Sequence, residues 1–255
     1  MTQLSVNVNK IATLRNSRAG KIPSVTHFCE IILNAGAHGI TIHPRTDERH
    51  ITRKDVFEIK EFLERYNAKH STHKEFNIEG EPSERFLRLV LEAKPDQVTL
   101  VPVRPGEITS DHGFNLLDPS EKNTLIPIIS QCKSENLRVS LFMETDTAGY
   151  SLAKTIGADR IELYTGPFAH AFDTSIEAGK VYFKDYATAA ETAFDLGLGI
   201  NAGHDLDTEN LAVFSKLPHL EEVSIGHRLV SQALIIGMES TIQEYLKVLS
   251  KGNSL

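Results

Sequence analysis

Three stretches, AGAHGITIH (residues 35–43), IGADRIELY (156–164) and LGLGINAGH (196–204), carry the reading of the fold. Each leaves a helical segment through a glycine (Gly36, Gly157, Gly197) and enters a short apolar run. Glycine just past a helix end adopts the left-handed conformation that terminates the helix at no steric cost. Each run then finishes on a polar group: His43, Glu162 and Asn201. The junction chemistry predicts a repeated unit in which a helix returns the chain to the start of a strand whose far end is polar.

Working outward, short apolar runs at 4–8, 39–43, 75–79, 97–101, 138–142, 160–164, 198–201 and 221–225 read as strands. Between and after them, helical spacing covers 25–35, 53–66, 83–93, 119–135, 147–156, 184–196, 210–215 and 230–249. Roughly eight β-then-α units in about 250 residues is the size of a minimal (β/α)8 TIM barrel. A doubly wound open sheet would alternate in the same way. No GxGxxG or GxxxxGK[ST] follows the first run, so its nucleotide-binding form lacks support. The expectation is therefore α/β, one TIM-barrel domain over 1–255. Two connections, 103–118 and 166–179, are longer than a barrel needs and fall at the catalytic end. They read either as lids or as surface insertions, and the terminal 250–255 as a fraying end.

The bulk numbers narrow the function. The 255 residues are 40% hydrophobic and 24% charged, with a formal net charge of −7. No basic stripe suggests a nucleic-acid partner, and no run of about 18 apolar residues suggests a membrane span. Cys29 and Cys132 are far apart and outside any CxxC or Cys/His spacing, which points to reduced thiols rather than zinc or a disulfide framework. With no apolar signal segment in residues 1–10, a cytoplasmic location is expected.

In a TIM barrel the site is built from the C-terminal ends of the strands and the loops beyond them. Those positions hold Asn7, Asn9 and Lys10; His43, Arg45 and His50; Glu79; Thr109; Glu162; Asn201 and His204; Gly226 and His227. Imidazoles titrate near neutrality, and a partly desolvated carboxylate can join them in acid–base work. Lys10, Arg18 and Arg45 suit anionic, phosphorylated substrates. Backbone N–H groups near Gly203 and Gly226 lie where barrels commonly hold phosphate. Glu162 either faces the mouth or anchors an arginine inside the barrel, and Arg18 is either a ligand or a surface cation. His27, His38, His70, His73 and His219 read as surface residues. Neither HExxH nor His-x-His is present, so metal-free acid–base chemistry without a cofactor is expected. On the residues alone the reading stops at a phosphate-binding barrel enzyme.

The segments VNVNKIATLRNSR (6–18), GITIHPRTDERHI (39–51), NIE ending at Glu79, INAGH ending at His204 and IGH ending at His227 together resemble the pyridoxine 5'-phosphate synthase family. The resemblance covers nearly the whole chain. It implies a TIM barrel with extra helices, assembled from dimers into a homo-octamer. It also implies condensation of 1-deoxy-D-xylulose 5-phosphate with 3-amino-2-oxopropyl phosphate, releasing phosphate and water. By resemblance, His43 and Glu79 match proton acceptors and His204 a proton donor. Asn7 and Arg18 match contacts to the amino-ketone phosphate; Arg45, His50 and Thr109 match contacts to the deoxyxylulose phosphate. Gly226 and His227 match the last phosphate-binding turn. The chain departs from the family pattern twice. Asn9-Lys10 stands where Asp-His is expected, and Asp205 where glycine is expected. Asn9 and Lys10 keep the capacity to bind a hydroxyl and an anion, and Asp205 keeps its backbone N–H. The rival readings are another phosphate-handling barrel enzyme, such as an isomerase or an aldolase using Lys10, and a non-catalytic phosphosugar-binding barrel.

Overall fold

The computed structural model describes residues 1–103 and 110–252. At the helix-to-strand junctions Gly36, Gly157 and Gly197 have φ of +113°, +100° and +72°. Ser71, Lys94 and Asn136 make equivalent reversals at φ of +50°, +48° and +61° without being glycine. Those six turns lead into β2 to β7 of a sheet of eight strands: β1 (Gln3–Asn7), β2 (Gly39–Ile42), β3 (Glu75–Gly80), β4 (Gln97–Leu100), β5 (Arg138–Met143), β6 (Arg160–Tyr164), β7 (Gly199–Gly203) and β8 (Leu220–Ile225). All neighbours are parallel, and β8 pairs with β1 to close the barrel in sequential order. The α/β TIM barrel expected from the sequence is thus the observed fold.

The strands alternate between two environments. Leu4, Val6, Ile40, Ile42, Ile78, Val98, Leu141 and Ile161 are fully buried in the main apolar core, together with Ile32 of α2 (Val25–Asn34), Ile59 of α3 (Arg53–His70) and Phe86 of α4 (Glu84–Ala93). Most of the intervening strand residues face the lumen and are polar, while Phe142 of β5 and Tyr164 of β6 form a small apolar cluster with Val101. Asn201 of β7 donates from Nδ2 to Gln97 Oε1 of β4 at 3.4 Å, a contact between non-adjacent strands that only the lumen permits. Ser5 and Thr41 hydroxyls lie 2.7 Å apart, Asn77 Nδ2 donates to Thr41 Oγ1, and Thr99 Oγ1 donates to Asn77 Oδ1 at 3.1 Å. Arg138 and Arg160, opening β5 and β6, donate to Gln97 and Asn201 at the N-terminal end. TIM-barrel interiors are usually filled with branched apolar side chains; this one is lined mainly by polar groups, most of them hydrogen-bonded to one another.

The remaining helices are α1 (Asn9–Asn16), α5 (Pro119–Ser134), α6 (Tyr150–Thr155) behind a 3-10 turn at Thr147–Gly149, α7 (Gly166–Thr174), α8 (Ile176–Asp195), α9 (Leu211–Phe214), α10 (His227–Ile236) and α11 (Met238–Gly252). Three expectations are corrected. The connection 166–179 is not a loop: Pro167 stands in the first turn of α7 and Ser175 caps α8, accepting from Ala178 N–H. The long C-terminal helix is two helices broken at Gly237 (φ +84°). His38 is no surface bystander, because its Nδ1 accepts the Leu4 N–H at 3.0 Å at the β1–β2 seam. Part of the 103–118 connection and residues 253–255 lie outside the described residues. Among the described residues no helix is long and apolar enough to cross a membrane.

Candidate active site

A cavity of about 520 Å³ opens at the C-terminal end of the barrel. Its wall is assembled strand by strand. Asn7 ends β1, and Asn9 and Lys10 open α1. His43 follows β2, with Arg45 and His50 in the loop beyond it. Glu79 lies on β3, and His204 and Asp205 follow β7. Gly226 and His227 join β8 to α10. The sequence-derived positions therefore converge, with three exceptions, the first being Asn201, which bonds inside the lumen to Arg160 and Gln97 and does not line the cavity. Arg18 is exposed in the turn after α1 and does not line this cavity. Thr109 lies outside the described residues. A larger cavity of about 710 Å³ sits on the outer flank between the α1–α2 turn and α3, away from the strand ends.

The loop that carries Arg45 and His50 is held from α1. Arg15 clamps Asp55 through Nη1–Oδ1 at 2.5 Å and Nη2–Oδ2 at 2.8 Å. Asn16 Nδ2 donates to the His50 carbonyl at 2.8 Å. Asp55 also completes a capping box with Thr52 that starts α3. Asn9 Oδ1 accepts the His43 N–H at 3.0 Å, fixing the end of β2. Its substitution for the expected aspartate keeps this acceptor and adds an amide donor.

His43 is 8% exposed and its Nε2 has no partner among the described residues. Burial, aided by His50 and Arg45, lowers its pKa to about 3, so the imidazole is neutral at physiological pH. His50 is held down to about 4, by burial and then by Arg45 and Lys10. Its Nδ1 accepts the Ile51 N–H at 2.9 Å, which assigns the proton to Nε2 and makes that edge a donor.

Glu79 behaves in the opposite sense. Asn7 Nδ2 and Ser224 Oγ donate to its two oxygens at 3.3 and 3.4 Å, and both partners are neutral. Burial pushes its carboxyl up to about 8. Glu162 is 3% exposed, lines the same cavity and leaves Oε2 without a partner among the described residues. Burial and then the nearby Glu79 charge raise it as well. It does not anchor an arginine: Arg160 turns instead to Asn201 and Glu221. Gly203 lets this carboxyl in, since a Cβ there would meet Glu162 Oε1 at 2.5 Å.

His204 packs against Tyr164, with ring centroids 5.2 Å apart and nearly perpendicular planes. His204 and Asp205 both take positive φ, +99° and +55°. Such conformations cost about 1–3 kcal/mol in non-glycine residues and persist where the surroundings enforce them. Here Thr165 Oγ1 donates to the Gly203 carbonyl at 2.8 Å and also to that of His204. Asn210 Nδ2 donates to the Asp205 carbonyl at 3.0 Å.

Sequence reasoning missed Ser110, Ser224 and Phe142 as lining residues. Ser224 was signalled by its two-residue spacing from Glu222 on β8; Ser110 had no signal, because a loop has no period. Among the described residues no cluster of three or more histidines, cysteines or carboxylates is arranged to hold a metal ion.

Comparison with known proteins gives the family and the fold. The family model described as "Pyridoxal phosphate biosynthesis protein PdxJ" matches residues 4–251. The pyridoxine 5'-phosphate synthase of Leptospira biflexa serovar Patoc is 65% identical, over 99% of both chains. That of Porphyromonas gingivalis is 47% identical, over 96% of this chain and 98% of its own. In fold, the chain is similar to 3-hexulose-6-phosphate synthase from Salmonella typhimurium (TM-score 0.66, 16% identity, 99% of this chain and 100% of the other).

Proposed function

Because the chain belongs to the pyridoxine 5'-phosphate synthase family of vitamin B6 biosynthesis, we propose that its mouth joins 1-deoxy-D-xylulose 5-phosphate to 3-amino-2-oxopropyl phosphate by acid–base chemistry of its own side chains. The observation that carries this reading is the meeting of His43, Glu79 and His204, from three strands, in one cavity that also holds Lys10 and Arg45. The reaction needs an amine to attack a ketone, water to leave as the imine forms, and adjacent C–H protons to be removed before the ring closes with loss of phosphate. Bases and an acid must act in turn, on two anions held together.

The groups divide the work by their protonation. His43 is kept by burial in its unprotonated form, the form a proton acceptor needs. Glu79, with its pKa pushed up to about 8, enters carrying a proton. A substrate ammonium placed beside it favours the carboxylate, the acid proton passing to solvent, and the carboxylate then accepts a C–H proton. His204 protonates the departing hydroxyl. Arg45, Lys10 and the Nε2–H edge of His50 hold one phosphate. The N-terminus of α10, at Gly226 and His227, offers backbone N–H groups to the other, with Asn7 beside it: a Cβ on Gly226 would approach Asn7 Cβ at 3.1 Å. The Asp205 contact is through its backbone N–H. Holding both substrates in place makes the encounter intramolecular.

The reading extends to a cytoplasmic homo-oligomer that uses small phosphorylated substrates and engages neither nucleic acid nor membrane. Exposed Leu234 and Ile235 on α10 support self-association, and the free Cys29 and Cys132 support a reducing compartment. The test is to mix metal-stripped protein with both substrates and follow pyridoxine 5'-phosphate and released phosphate together. Equal appearance of the two, lost in His43→Ala, is expected. No product from protein that binds both substrates would overturn the reading.

A further inference from the structure

We propose that the carboxylate of Asp205 is a positioning residue for His204: it holds the Nδ1 edge of the imidazole so that the Nε2 edge faces the cavity and carries the transferred proton. This rests on His204 being the proton donor. Asp205 stands where the family pattern leads one to expect glycine, so the side chain is a feature of this chain beyond the shared backbone contact.

The geometry is specific. Asp205 Oδ2 lies 3.6 Å from His204 Nδ1. Nδ1 is buried and has no hydrogen-bond partner among the described residues. At 3.6 Å the contact is an ion-pair contact and not yet a hydrogen bond; hydrogen bonds of this kind are often long in empty sites and shorten when substrate binds. The backbone beneath is fixed: buried Thr165 and Asn210 bind the carbonyls of Gly203, His204 and Asp205. Both residues hold positive φ, and their side chains lie on the same side closely enough for the 3.6 Å contact.

The other groups facing this carboxylate do not displace the pairing. His170 of α7 lies 3.8 Å from the same oxygen but is 69% exposed. Arg228 of α10 is committed to Asp173 and Asp207, with Nη1 2.9 and 2.6 Å from their oxygens. Tyr164 covers the His204 ring. The His204 imidazole is the main reason that the Asp205 carboxyl lies below its ordinary range, so the carboxylate is charged when the enzyme works. An imidazolium that gives up its Nε2 proton is left as the neutral Nδ1–H tautomer, and an anion at Nδ1 favours that form.

The test uses the full-length enzyme labelled with ¹⁵N-histidine, in wild type, Asp205→Gly, Asp205→Asn and, for assignment, His204→Gln. Glycine suits the φ at this position, and asparagine tolerates it while keeping an acceptor oxygen. The neutral His204 ring is expected as the Nδ1–H tautomer in wild type and in Asp205→Asn, and as predominantly Nε2–H in Asp205→Gly. Loss of a hydrogen bond to a charged partner corresponds to about tenfold in kcat for Asp205→Gly, with KM unchanged or lower and much of kcat restored in Asp205→Asn. An unchanged His204 tautomer, a change confined to His170, or an unaltered kcat despite a changed tautomer would each overturn the proposal. Full turnover in His204→Gln would instead refute His204 as the acid and leave the tautomer result standing.

Discussion

Asn7 and Glu79 meet across the barrel mouth, the Asn7 Nδ2 donating to Glu79 Oε2 at 3.3 Å. With Ser224 on the other oxygen, the carboxyl is oriented by two neutral donors, and burial dominates its protonation. Position and protonation are thus set separately. Glu79→Gln is expected to preserve the shape and lose the chemistry. Turnover should fall by about 10²–10⁴-fold, while binding of inorganic phosphate, followed by calorimetry, changes by no more than a few-fold.

The lumen carboxylates make stability depend on pH. Glu222 is pushed up to about 8, by burial and then by the charge of Glu75. Its folded form therefore keeps a proton that the unfolded chain gives up at about 4.5. Stability should fall as pH rises from about 4.5 to 8 and level off above that, the reverse of a salt-bridged carboxylate. In Glu222→Gln the fall should shrink by up to several kcal/mol, measured as the difference between denaturant midpoints at pH 5 and pH 8.5.

The clamp between Arg15 and Asp55, with side chains 13% and 5% exposed, ties α1 to the start of α3 and to the loop bearing His50. Removing one partner leaves a buried charge unpaired. Arg15→Ala should lose about 3–5 kcal/mol of unfolding free energy. Arg15→Met with Asp55→Leu should recover most of that loss, while the KM for the deoxyxylulose substrate stays raised.

Gly203→Ala places a methyl 2.5 Å from Glu162 Oε1 and 2.9 Å from the Ser224 carbonyl. Because a misplacement of about 1 Å costs about 10²-fold in rate, kcat should fall by roughly that factor, while circular dichroism remains that of the parent.

Much of this arrangement was legible in the residues. Gly36, Gly157 and Gly197 mark three junctions, the polar strand ends include His43, Glu79 and His204, and the family resemblance singles those three out. Ser71, Lys94 and Asn136 make the same turns without glycine, and only packing requires it of them. The helix α1 was hidden by the alternation in VNVNKIA, which continues the period of β1 past its end. The helices α7 and α8 were hidden by Gly166, Ser175 and Gly179, which look like loop residues until Pro167 and Ser175 are seen as helix starts. The polar lumen was written in the sequence at two-residue spacing, as in Glu222 and Ser224. The pairing of Asp205 with His204 was not legible, because it depends on two positive φ angles that no residue type there announces.

The alternation of apolar and polar residues along each strand also guards assembly. Because side chains change face at every residue, a slip of one position in any strand would carry Leu and Val into the lumen and deliver Glu79, Glu162 or Glu222 to the greasy seam beneath the helices. A wholly apolar barrel would tolerate such a slip more readily, since both faces would still be buried among similar neighbours. Here the groups suited to catalysis also act as proofreaders of strand register, penalising misaligned closures before the enzyme has bound any substrate.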